Sequence, residues 1–161
     1  MQIFSYLSRS LLTVGLLAGL LVVTGGGPAY GQCNVFVDKD ASGSEDGSED
    51  SPYTNLQDGL DDATAAGDSV CVAEGTYNTS GSTFTMTAGV TLIGGFNSAF
   101  DTKTDSTILD GDDSGRVLVV DGSGTSTTLD GLTIQNGRGG LRFSDYSSDS
   151  LIVRNTVFSD N

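Results

Sequence analysis

Gly131-Leu132-Thr133-Ile134-Gln135-Asn136-Gly137 is answered by Asn155-Thr156-Val157-Phe158-Ser159-Asp160-Asn161 at an offset of 24 residues. Apolar Ile134 falls on Phe158, and polar Asn136 falls on Asp160. The same texture holds back to Ser69. Short β-prone runs recur: Val70-Cys71-Val72, Val90-Thr91-Leu92-Ile93, Thr107-Ile108-Leu109, Val117-Leu118-Val119-Val120, Leu132-Thr133-Ile134, Leu151-Ile152-Val153 and Val157-Phe158. They are cut by Gly94-Gly95, Asp110-Gly111, Asp121-Gly122 and Gly137, the residues that punctuate strands. A β-rich period of this size, with strands this short, means a solenoid whose coils bury their inward side chains against one another. A sandwich or barrel, the competing all-β reading, wants longer alternating strands and hairpin turns.

Outward from the repeat, residues 54–65 carry the one helical pattern. Thr54 and Gln57 stand as a capping box, Leu56, Leu60 and Ala63 share a face, and Gly67 offers a stop. With one narrow apolar stripe, this helix reads as a lid. Before it, residues 38–51 hold no apolar side chain beyond Ala41 and read as a solvated loop. Its Asp-x-Asp start lacks the remainder of an EF-hand pattern.

The first thirty residues belong to export rather than to the fold. Arg9 precedes a 13-residue apolar run, Leu11 to Val23, and Ala29-Tyr30-Gly31 supplies small residues for a cleavage site. The run is shorter than the roughly 18 residues a membrane span needs. The expected organisation is a secretory signal peptide over 1–31, then an N-terminal strand, acidic loop and capping helix over 32–68, then coils over 69–161. Localisation follows as extracellular or on the outer cell surface, with no membrane span in the mature chain.

Composition excludes several classes of chemistry. The chain has no histidine, so neither a Ser-His-Asp triad nor a His-ligated zinc site can be built from it. Loss of residues 1–31 removes only one charge, Arg9, and leaves a net charge of −15. That balance argues against nucleic acid, which needs clustered Lys and Arg. It also gives a surface that stays hydrated in strong salt. In an exported protein Cys33 and Cys71 are an even pair in β-prone runs, expected to form a disulfide. A bond closing that loop of 37 residues stabilises by about 3–4 kcal/mol on the chain-entropy account.

Several segments together carry a resemblance. They are Val35-Phe36-Val37-Asp38, Leu56-Gln57-Asp58-Gly59-Leu60, the stretch from Gly67 through Val70-Cys71-Val72 to Gly75-Thr76-Tyr77, Gly89-Val90-Thr91-Leu92-Ile93-Gly94-Gly95-Phe96 and Leu129-Asp130-Gly131-Leu132-Thr133-Ile134. The series resembles the N-terminal portion of secreted bacterial right-handed parallel β-helix proteins, the pectin-lyase-like superfamily. Gly94-Gly95-Phe96 and the closing 155–161 segment are also similar to polymorphic outer-membrane repeat proteins. The resemblance implies an all-β fold, a right-handed parallel β-helix whose N-terminal end is covered by the short helix. Coils of about 24 residues, as the repeat suggests, would make it four or five coils. Typical members of that superfamily run on for many more coils.

Lyases of the superfamily remove a proton beside a uronate carboxylate, using Asp-held calcium and an Arg or Lys base. The residues here that such chemistry would use are Asp110, Asp112 and Asp113 as calcium ligands, with Arg116, Arg138, Arg142 and Arg154 as bases or clamps. The same Asp-Gly-Asp-Asp-Ser-Gly run also reads as a solvated turn. Asp130 and Arg154, again 24 apart, read as a salt bridge between stacked coils. Glycoside hydrolysis fits poorly, since the Gly-His-Gly segment of family galacturonases is impossible without histidine.

A binding role is the other reading. Ser and Thr crowd residues 79–91 and 123–128, and Tyr53, Tyr77 and Tyr146 are candidate sugar-stacking rings. Phe84, Phe96, Phe143 and Phe158 read as core or end-cap residues. The expectation is a secreted structural or adhesion protein that engages extracellular polysaccharide without catalysis. No cofactor is required on this reading, and calcium is the one candidate ion. A calcium-dependent pectate-type lyase, or a fragment of one, is the alternative. The apolar, β-prone end at Leu151–Phe158 predicts self-association through the C-terminal coil.

Overall fold

The computed structural model describes residues 33–103, 106–122, 126–144 and 150–161, so the expected export signal lies outside the described residues. The first sheet contains β1 (Val35–Val37), β2 (Ser69–Ala73), β5 (Thr91–Phe96), β8 (Thr127–Asp130) and β11 (Leu151–Arg154), side by side in that order. A second sheet holds β3 (Gly75–Asn78), β6 (Thr107–Asp110), β9 (Leu132–Gln135) and β12 (Val157–Ser159). The third holds β4 (Phe84–Thr87), β7 (Arg116–Asp121) and β10 (Gly139–Ser144). Every pairing between these strands is parallel. From β2 onward the chain visits the first, second and third sheets in fixed rotation. Among the described residues the architecture is mostly β, with parallel sheets and one helix, α1 (Leu56–Asp62).

Parallel register turns side-chain chemistry into columns. Val70 pairs with Leu92 and Leu92 with Leu129, all fully buried. On the second sheet the column is Tyr77, Leu109, Ile134 and Phe158. On the third, Phe84, Leu118 and Leu141 align. Apart from the half-exposed Phe158, these columns form one continuous core. The outer face of the first sheet is covered as well, where Cys71, Ile93 and Phe96 pack with Cys33, Phe36 and Phe100.

The repeat appears where the sequence places it, for Phe158 pairs with Ile134 and Val157 with Thr133. The offset of 24 is not general, however. Thr91 pairs with Thr128 and Val35 with Val70, because loops of different length sit between the same sheet positions. A second correction concerns Gly94-Gly95. These glycines do not end a strand; β5 runs through them to Phe96. A Cβ on Gly94 would lie 2.7 Å from the Gly131 carbonyl and 2.6 Å from the Leu132 side chain, so glycine permits the next strand to approach.

The bend from first to second sheet is made by Gly75, Gly131 and Asn155, with φ of 130°, 73° and 48°. Only residues that tolerate left-handed backbone fit such a bend. That is why Asn155 can stand where the preceding circuit has Gly131.

The helix is shorter than expected, and its cap is a different residue. Asn55, in extended backbone, accepts the Gln57 N–H on its Oδ1 at 2.9 Å. Thr54 is engaged elsewhere, giving its N–H and hydroxyl to Glu45 at 3.0 and 2.8 Å. The helix closes at Ala63 rather than Gly67. Released from a capping box, the Gln57 carboxamide pairs with the edge of β4. Its Nε2 donates to the Thr85 carbonyl and its Oε1 accepts the Thr85 N–H, both at 2.9 Å. A side-chain amide thus does what another strand would do, and one exposed edge is occupied.

Cys33 and Cys71 are disulfide-bonded, with Cα atoms 5.8 Å apart. The bond ties the segment before β1 to the centre of β2. The Asp130–Arg154 pair also forms, at 3.6 Å between residues in direct register.

Candidate functional site

The residues proposed for calcium sit at the bend that follows β6. Asp110 ends the strand; Asp112 and Asp113 occupy left-handed backbone at φ 53° and 52°. The Asp110 carboxylate is engaged by neighbours. Its Oδ2 accepts from Gln135 Nε2 at 2.9 Å and Asn136 Nδ2 at 2.7 Å, and its Oδ1 accepts the Asp112 N–H at 2.9 Å. The bond from Gln135, opposed by some burial, holds this carboxyl below the usual range. Asp112 and Asp113 are exposed on the turn. Among the described residues, no three His, Cys, Asp or Glu side chains gather as a metal-holding group.

Of the four arginines, Arg138 comes nearest this turn, donating from Nε to the Asp113 carbonyl at 3.2 Å. Arg116 donates to the Leu141 carbonyl at 3.1 Å, Arg154 faces Asp130, and Arg142 is exposed on β10. Arg116, Arg138 and Arg154 are thus held by separate partners. The cluster is an acid-terminated strand whose carboxylate stacks under two amides of the next circuit. Asn155 repeats the device at the other bend, donating from Nδ2 to Asp130 Oδ1 at 2.8 Å.

These ties have a pH signature. Glu45, Asp46, Asp101 and Asp110 all accept hydrogen bonds that lower their carboxyls relative to ordinary values. The folded state therefore favours the ionised form. The stabilisation is complete above the ordinary carboxylate range and is lost as pH falls through the lowered values. Urea midpoints taken down a pH series should hold above about pH 5 and fall below about pH 4.

The aromatic candidates separate clearly. Tyr77 is 4% exposed and belongs to the core. Its hydroxyl donates to the Ala73 carbonyl at 3.2 Å and accepts the Lys39 N–H at 3.3 Å, and burial pushes its phenol well above the usual value. Its ring belongs to the core, and the residue lines one of the hollows beside α1. Tyr53 is half-buried and packs on the core, and Tyr146 lies outside the described residues. Of the second Ser/Thr cluster, Thr127 and Thr128 are buried in β8. Thr127 accepts the Gly89 N–H at 2.8 Å, so it serves the fold. Residues 123–125 lie outside the described residues.

The first Ser/Thr cluster is different. After β3 the chain turns through Thr79, Ser80 and Gly81, with Ser80 and Gly81 at positive φ and the Ser82 N–H donating to the Thr79 carbonyl at 2.9 Å. This turn and the start of α1 border two adjoining hollows of about 330 and 350 Å³. Asn55, Asn78, Ser80 and Phe84 line both of them. Thr79 lines the larger and is 5% exposed. Among the described residues its Oγ1 is the one buried side-chain oxygen without a hydrogen-bond partner. A buried hydroxyl left unsatisfied costs about 1–3 kcal/mol, and natural folds retain few of them.

The cleft's polar groups are mostly carboxamides and hydroxyls, each able to donate and accept, beside the apolar Phe84. Its sequence signal was the Thr/Ser density over 79–91. The part played by Asn55 and Asn78 had none, since they meet only in space. Comparisons with protein-family models, curated proteins and solved structures gave no match to this chain.

Proposed function

We propose that this chain is a secreted or cell-surface right-handed parallel β-helix protein with a structural or adhesive role. It engages extracellular polysaccharide through the cleft between α1 and the β3–β4 turn, without cleaving it. The observation that carries this reading is a cleft whose shared lining is amide and hydroxyl, with Asn55, Asn78 and Ser80 exposed beside Phe84. Sugar hydroxyls match such a lining, each donating and accepting at once. The ligand is neutral on this reading: the mature charge of −15 repels a polyanion, and the cleft holds no cluster of cations. The fixed rotation among three parallel sheets supports the β-helix, in which a stiff rod presents the cleft at one end.

Calorimetric titration with neutral gluco-oligosaccharides, and separately with oligogalacturonate, tests the proposal. Binding of the neutral series is expected. Asn78→Ala, at an exposed position, should weaken it about tenfold without unfolding, the effect of one lost hydrogen bond of roughly 1.4 kcal/mol. Thr79→Val should leave stability unchanged or raise it, because it removes an unsatisfied buried hydroxyl. Absence of binding to every neutral oligosaccharide would sink the cleft assignment. Release of unsaturated product from polygalacturonate with calcium would overturn the non-catalytic reading in favour of a lyase.

A further inference from the structure

The cleft beside α1 is not uniform along its length. Asn55, Asn78, Ser80 and Phe84 line both hollows, but each hollow has one charged residue of its own. In the hollow that includes Tyr77 it is Lys39, and in the hollow that includes Gln57 it is Asp58. The two charges are not equivalent. Lys39 Nζ donates to both carboxylate oxygens of Asp40, at 2.8 and 2.7 Å, so its charge is met within the protein. Asp58 is exposed and forms no ion pair among the described residues.

The surroundings of Asp58 add no counter-charge. Asp61 and Asp62 stand on the same helix, and residues 33–102 hold 12 acidic side chains against the single base Lys39. Such a field draws a cation toward the hollow. The lining says which kind. A bare calcium ion takes about six to eight oxygens, commonly from several carboxylates, whereas this hollow supplies one carboxylate among amides and hydroxyls. The Gln57 carboxamide is already spent on Thr85 and Asp61. A primary amine carried on a hydroxylated ring matches better. Its ammonium donates to the carboxylate, and the ring hydroxyls exchange hydrogen bonds with Asn55, Asn78 and Ser80.

We propose that the cleft prefers an amine-bearing polysaccharide, a polymer of the glucosamine type, with Asp58 holding the ammonium. This rests on the reading of the cleft as a polysaccharide site and adds the class of sugar. The net charge that repels a polyanion attracts this ligand, and Asp58 fixes where its amine sits.

Calorimetric titration at about 0.05 M salt and about pH 6, where a primary amine is protonated, compares tetramers of glucose, glucosamine and N-acetylglucosamine. The glucosamine tetramer should bind at least about tenfold more tightly than the other two. Asp58→Asn should reduce that preference to below about threefold. Asp62→Asn makes the same change of charge on the same helix, at an exposed position outside both hollows, and should keep the preference. A preference lost equally in both variants would belong to net charge and would overturn the proposal. So would tetralysine binding as tightly as the glucosamine tetramer, because charge alone would then suffice. Equal affinity for the three sugars would overturn it while leaving the polysaccharide reading in place. If none of the three binds, both fall.

Discussion

Reduction of the Cys33–Cys71 bond, or its removal in a Cys33→Ala/Cys71→Ala variant, is expected to cost about 3–4 kcal/mol of unfolding free energy. The bond spans 38 positions, and the loop it closes contains the polar segment 38–51 and helix α1. Without it the unfolded chain regains the freedom of that long loop. The folded state also loses a tie at a sensitive place, because β1 has only three residues and is an edge strand of its sheet. Cys71 is fully buried beside Ile93 and Phe96, so alanine is the suitable replacement; serine would add a buried hydroxyl. Urea unfolding with and without reductant measures the effect. The double variant should match the reduced protein and ignore the reductant. A difference below about 1 kcal/mol would show that α1 and β1 hold their places by packing alone.

The second large effect is expected at the centre of the stack. Leu92→Ala should cost about 2–5 kcal/mol, toward the upper end. Leu92 is fully buried and sits in register between Val70 and Leu129. Hydrogen-bonded ladders on both sides hold its neighbours, so little collapse into the cavity is available. Val153→Ala makes the contrast. It occupies an inward position of the same sheet, but at 40% exposure it has less burial to lose, and its cost should stay below about 1.5 kcal/mol. Chemical denaturation of both variants decides the point. Equal losses would mean that β11 is as well covered in solution as β5.

Much of the fold could be read from the sequence because β-branched density marks buried strands. All seven runs that mark strands between Val70 and Phe158 lie on or within strands of the structure, Val90 alone falling just outside β5. The strands without such a mark are instructive. Gly75–Asn78, Phe84–Thr87, Thr127–Asp130 and Gly139–Ser144 hold strand-compatible Thr, Tyr or Phe but no consecutive Val, Ile or Leu, so no apolar run marks them. They become strands because a neighbouring strand stands in register beside them. The cap on α1 was misplaced for a related reason. Thr54 satisfies the local pattern, but Glu45 claims its hydroxyl from a loop nine residues earlier.

The candidate site divides along the same line. Density of Ser and Thr over 79–91 pointed to the turn, while the burial that removes Tyr77 from the surface and leaves Thr79 without a partner depends on packing. By itself the sequence determined the β-rich stacking pattern, the helix, the acidic surface, the Cys33–Cys71 pairing and the final 24-residue register. These follow from local chemistry: side-chain branching, turn residues, charge and an even cysteine count. Only the tertiary structure decided that Gln57 seals an edge, that Asp110 is spent on Gln135 and Asn136, and that Tyr77 lies in the core. Those outcomes join residues from separate circuits, and loops of unequal length set which circuits meet.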